Sequence, residues 1–158
     1  MTHETIQEER NVTRMSSFDA KKFIDAQNDS YGSYNQALAE IRNGQKMGHW
    51  IWYVFPQLRG LGMSSTSQYF GIRDLDEAKE YLQNQLLRNR LIEISEALLE
   101  QTGNIKNIVG YVDAMKVRSS MTLFMAADPD IEVFGKVLDK FYDGKPDDIT
   151  LRIIGKNA

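Results

Sequence analysis

Trp50-Ile51-Trp52-Tyr53-Val54-Phe55 is the run in this 158-residue chain that alternates as a β-strand would. It constrains the fold more than any other stretch, because no second convincing strand is there to pair with it. A lone strand would leave its backbone N–H and C=O groups without partners. A buried helical turn ending before Pro56 holds the same residues, since the residue ahead of a proline is steered out of the helical region. We read the run as a short buried helix and the chain as all-α.

The rest of the chain carries helix signals. Ser17 stands ahead of a first helix, Phe18 to Gln27, and Ser33 with Gln36 resembles a capping box opening Tyr34 to Asn43. Asp74 with Glu77 opens Leu75 to Gln83 in the same way. Leu87, Leu91, Ile94 and Leu98 recur three or four apart along Leu86 to Gln101. Met115, Met121 and Phe124 give an apolar face to Val112–Ala126. Asp128-Pro129 reads as a cap followed by proline at the first helical position, opening a helix that stops at Gly144. A last turn covers Thr150 to Ile154. Residues 1–15 are polar without apolar periodicity and read as a flexible tail. Residues 16–158 read as a single compact multi-helix domain, with neither an internal repeat nor a linker.

Charge is unevenly placed. From Arg42 to Arg73 there is no Asp or Glu, while Arg42, Lys46, Arg59 and Arg73 are all cationic. The net charge of −3 therefore leaves −7 for the remainder. An acid-free segment focuses potential toward an anionic ligand; a buried segment would shed carboxylates just as well. The overall acidity argues against general nucleic-acid binding. No apolar run approaches 18 residues and the N-terminus is not basic-then-apolar, so neither a membrane span nor a signal peptide is expected. The absence of Cys excludes disulfides and thiolate chemistry and suits a reducing cytoplasm.

Two blocks, GQKMGHWIWYVFPQLRGLGMSS at 44–65 and VGYVDAMKVRSSMTLF at 109–124, resemble the family of domain of unknown function 1810, sometimes mislabelled calpastatin-like. The first block matches its pattern at Gly44, Lys46 and His49 to Gly62. The second matches at Gly110, Asp113, Lys116, Ser119, Ser120, Thr122, Leu123 and Phe124. The chain departs from the family where Asn84-Gln85 replaces a His-Pro pair and Arg88 replaces a Gly, while Arg90-Leu91 is kept. The resemblance implies a mainly helical fold and carries no activity with it.

The residues themselves suggest where chemistry would sit. His49 is the one His outside the tail and the candidate acid–base group; a buried His bonded to a carbonyl is the competing reading. One body His and no Cys make no metal site. Trp50 and Trp52, two apart, cannot share one helical face, so one enters the core and the other lines a pocket or surface. Gly60-Leu61-Gly62-Met63-Ser64-Ser65 lacks the GK[ST] of a phosphate loop and reads as a turn ahead of an N-capping Ser. Asp113, Lys116 and Ser120 fall on one helix face, beside Ser119. Lys116 with a Ser would make a nucleophile pair, but an Asp113 partner opposes that and favours a polar network toward the His49–Ser65 segment.

Two functions follow as expectations. In the first, a polar cleft between His49–Ser65 and the Asp113–Thr122 helix binds a small anion, nucleotide- or phosphate-bearing. Trp50, Trp52, Gln57, Arg59, Ser64, Ser119 and Ser120 would bind it, and His49, Lys116 and Asp113 would serve any reaction. No cofactor is expected; an NAD- or ADP-ribose-like ligand suits these groups on chemistry alone. In the second, an aromatic surface around Trp52, Phe55 and Leu58 docks a protein.

Overall fold

Most helices begin where a short polar side chain can take an unpaired backbone N–H, which is what the first turn of any helix needs. The computed structural model describes residues 18–156, which form ten helices. Asp19 accepts from Lys22 N at 3.3 Å and opens α1, Ala20–Asn28. Ser33 accepts from Gln36 N at 3.1 Å and opens α2, Tyr34–Arg42. A single turn, α3, spans Ile51–Val54. Ser64 opens α4, Ser65–Phe70, and Asp74 opens α5, Leu75–Gln83. Asn84 accepts from Leu87 N at 3.1 Å and opens α6, Gln85–Leu99. The Asn-Gln pair that departs from the family pattern is thus a working cap.

The second half holds α7, Ile105–Val109; α8, Tyr111–Ala127; α9, Val133–Tyr142; and α10, Asp148–Lys156. α7 was not legible in the sequence, its five residues being too few to show a period. The helix expected directly behind Asp128-Pro129 starts later, at Val133. Asp128 instead accepts from Asp130 N at 3.1 Å, a local turn that competes with helix initiation. The tail expected over residues 1–15 and the Ser17 cap lie outside the described residues.

The Trp50–Phe55 run is helical only at Ile51–Val54, after which the chain extends. Beyond Pro56 the extended chain makes one parallel bridge, Leu58 to Ile72. Ile72 N donates to Gln57 O at 2.9 Å and Arg59 N donates to Ile72 O at 2.8 Å. No strand of more than one bridged residue exists among the described residues, and the domain is all-α.

α8 runs through the centre and packs against α3, α5, α7, α9 and α10; α9 also packs on α6. Rings connect the layers: Phe23 of α1 meets Tyr81 of α5 edge-on at 5.3 Å, Tyr81 meets Phe124 of α8 at 5.1 Å, and Phe124 meets Phe134 of α9 at 6.1 Å. Buried Gln27 donates to Tyr53 O and accepts from Arg90, tying α1 to α3 and α6. That contact explains the retained Arg90.

Candidate functional site

The segment between α2 and α3 is built around one carboxylate. Glu40 Oε1 accepts from Met47 N at 2.6 Å, Gly48 N at 2.8 Å and Trp50 Nε1 at 2.9 Å, while Gln36 Nε2 donates to Oε2 at 2.8 Å. Burial pushes the Glu40 carboxyl up, but these donors outweigh it and hold it at about 2. Trp50 is thereby locked into the core, fully buried, and Trp52 stays half-buried. The expected division of the two indoles holds.

Lys46, at the start of this segment, donates its backbone N–H to Ile108 O at 2.6 Å and its ammonium to Gly48 O. Its Nζ also lies 2.8 Å from Asp113 Oδ2 and 4.9 Å from the Trp50 ring. The other carboxylate oxygen of Asp113 takes Lys116 Nζ at 3.1 Å, and that ammonium sits 4.0 Å from the Trp52 ring centroid. The side chains of Lys46, Asp113 and Lys116 are 8%, 16% and 20% exposed. Lys46 and Lys116 therefore share the Asp113 carboxylate, with the ionised Glu40 bonded to the same segment, and the Lys116 ammonium puts positive charge beside Trp52. α8 adds to it, because Gly110 supplies no side-chain cap and the first N–H groups of the helix keep their partial positive charge.

Trp52 also links this cluster to the glycine loop. A Cβ on Gly62 would lie 3.4 Å from Trp52 Cη2, so the loop passes directly against the indole. The structure thus brings together Trp52, Asp113 and Lys116 with the Gly60–Ser65 turn, and adds Lys46 and Glu40, which sequence reasoning did not nominate. Lys46 had a signal in its place within the Gly44-Lys46-His49 pattern. Glu40 had none, since nothing on α2 marks which loop will fold onto it.

The remaining expected residues are placed otherwise. His49 is exposed and makes no hydrogen bond to any described residue. It is therefore not the buried, carbonyl-bonded His of the competing reading. Arg59 is exposed, anchored through its backbone at the Ile72 bridge. Gln57 is buried and its carbonyl belongs to the same bridge. Ser64 is the cap of α4, accepting from Ser67 N at 3.1 Å. Ser119 donates to Met115 O at 3.1 Å, whereas Ser120 is fully buried with no partner for its hydroxyl. No hydrogen bond joins Lys116 to either serine, so the nucleophile pair is not formed. Phe55 and Leu58 are buried, which removes the docking surface expected around them and Trp52. Among the described residues, no three His, Asp or Glu side chains are grouped to hold a metal ion. No described helix is long and apolar enough to cross a membrane.

Both sequence blocks therefore converge on one cluster, and comparison with known proteins agrees with the motifs. The model of a family described as "Protein of unknown function (DUF1810)" matches residues 17–154. The chain belongs to this family. A solved structure of similar fold, the conserved hypothetical protein Rv1873 from Mycobacterium tuberculosis, is 41% identical. The match covers 89% of this chain and 99% of that one, with a TM-score of 0.84. No curated protein matches the chain. As a DUF1810 domain it inherits a fold from its relatives; any function has to be argued from its own site.

Proposed function

We propose that the domain binds a small anionic, phosphate-bearing ligand at the Lys46–Asp113–Lys116 cluster, against Trp52 and the Gly60–Ser65 loop. The observation that carries the reading is that Lys116, which shares the Asp113 carboxylate with Lys46, holds its ammonium 4.0 Å from the ring centroid of half-buried Trp52. The uncapped start of α8 favours the same sign of ligand. Arg59 and His49 are exposed, and no contact among the described residues places either side chain at the cluster. A nucleotide such as ADP-ribose would add an indole contact to the phosphate contact.

The test is a ¹⁵N NMR titration with inorganic phosphate, AMP and ADP-ribose at low ionic strength. Shifts are expected at the Trp52 indole and at the amides of Asp113 and Lys116, fading as salt is raised. A charge-assisted hydrogen bond is worth about 1.5–3 kcal/mol, so Lys116→Gln should weaken binding by roughly tenfold or more. Absence of shifts at these positions with all three anions at millimolar concentration would sink the proposal. Protein docking keeps less support, since Phe55 and Leu58 are buried.

A further inference from the structure

α8 carries a second cationic face, on the side turned away from Asp113 and Lys116. At about 100° per residue, Tyr111, Ala114 and Arg118 lie well round the helix from that pair. They line a groove of about 350 Å³, closed by Lys106 of α7 and by Phe141 and Tyr142 of α9. No acidic residue lines it, in a chain whose net charge is −3.

Its two cations are unneutralised for different reasons. Lys106 Nζ sits 4.9 Å from the Tyr111 ring and has no carboxylate partner among the described residues. Arg118 donates from Nε to Lys145 O at 2.9 Å and from Nη2 to Pro146 O at 3.1 Å. Carbonyls fix the guanidinium in direction without cancelling its charge. The acid nearest that contact in the chain, Asp147, is turned away to start α10, accepting from Thr150 N at 2.9 Å and Thr150 Oγ1 at 2.6 Å. Tyr142 is fixed too: its hydroxyl donates to Ala114 O at 2.5 Å, and its ring stands 5.9 Å from Arg118.

We infer that this groove is a second binding site, selective for a planar aromatic ring bearing a carboxylate or phosphate. The rings of Tyr111, Phe141 and Tyr142 offer flat apolar wall, and Lys106 and Arg118 take the anion. Because Arg118 and Tyr142 are already held by backbone carbonyls, little side-chain freedom is lost on binding. The volume lies at the small end of the range of about 300–1,000 Å³ that holds small molecules. This site does not depend on the phosphate reading of the Lys46–Asp113–Lys116 cluster, since the two share no side chain.

The experiment is a ¹⁵N NMR titration of the full chain with 2-naphthoate, its neutral analogue 2-naphthylmethanol, AMP and inorganic phosphate. Naphthoate is expected to shift the amides of Lys106, Tyr111, Met115, Arg118 and Tyr142, and to bind about tenfold more tightly than the alcohol, the worth of one charge-assisted contact. Lys106→Gln, at an exposed position that leaves the core untouched, is expected to abolish most of that preference. AMP shifting the same amides would extend the site to phosphates carried by a molecule with an aromatic base, and naphthoate alone would restrict it to carboxylates. The inference is overturned if naphthoate shifts none of these amides, if the alcohol binds equally well, or if the shifts fall at Trp52 and Asp113. Inorganic phosphate acting here as strongly as naphthoate would overturn the aromatic selectivity.

Discussion

Glu40 shows how one side chain can set the geometry of a site it does not touch. Its three contacts through one oxygen hold Met47, Gly48 and Trp50 in place, and thereby hold Lys46 over Asp113. Because its folded pKa is depressed to about 2, its stabilising effect is present above the ordinary glutamate range and is lost as pH falls toward 2. Glu40→Gln should cost about 1–3 kcal/mol at neutral pH, the worth of a lost charge-assisted bond and an unpaired donor. It should also flatten the loss of stability on acidification. Urea denaturation at pH 6 and pH 3 checks both effects; an unchanged pH dependence would remove Glu40 from this role. The division between Trp50 and Trp52 was legible from their spacing, because helical geometry alone forbids a shared face. The Glu40 contacts were not legible, because no local rule pairs a helix residue with a loop seven to ten positions on.

Among the elements, α2, α4 and α5 were read from their caps, whereas α7, capped by Asn104, was not read at all. Ser33, Ser64 and Asp74 each act as the local pattern indicates, since a cap and the N–H that donates to it lie within three residues. Asp128 misled because the same carboxylate can close a turn as readily as open a helix. Past Pro56, beyond the Trp50–Phe55 run, the chain pairs at a single residue, Leu58, with Ile72 arriving behind Gly71. Gly71 is required there by close approach: an added Cβ would lie 2.6 Å from Arg59 Cα and 2.9 Å from Ser67 O, both backbone atoms. Gly71→Ala should therefore cost about 1–3 kcal/mol, as overpacking does, and speed amide exchange at Arg59 and Ile72. Thermal unfolding and hydrogen exchange check this, and an unchanged melting temperature would show that the approach is looser than described.

Across the assembled fold, α8 is both the central packing element and the carrier of the site. Its buried residues include Val117, Met121, Leu123 and Phe124, while its first turns present Asp113 and Lys116 on one side and Tyr111 and Arg118 on another. Phe124 joins α5 and α9 through ring contacts, so Phe124→Ala should lower stability by about 3–5 kcal/mol, as measured by urea denaturation. A cost below 1 kcal/mol, far under that of a large core cavity, would show that α8 is not the centre of packing. The amino-acid pattern alone set the helical class, most of the helix starts, the Trp pair's division and the Asp113–Lys116 pair, because each depends on residues within a few positions. Folding decided the rest: Lys46 completing the cluster, Glu40 arranging it, His49 left in solvent, and α7 formed where five residues pack under α8. These depend on contacts between segments far apart in the chain, and such contacts exist only once the core has brought the segments together.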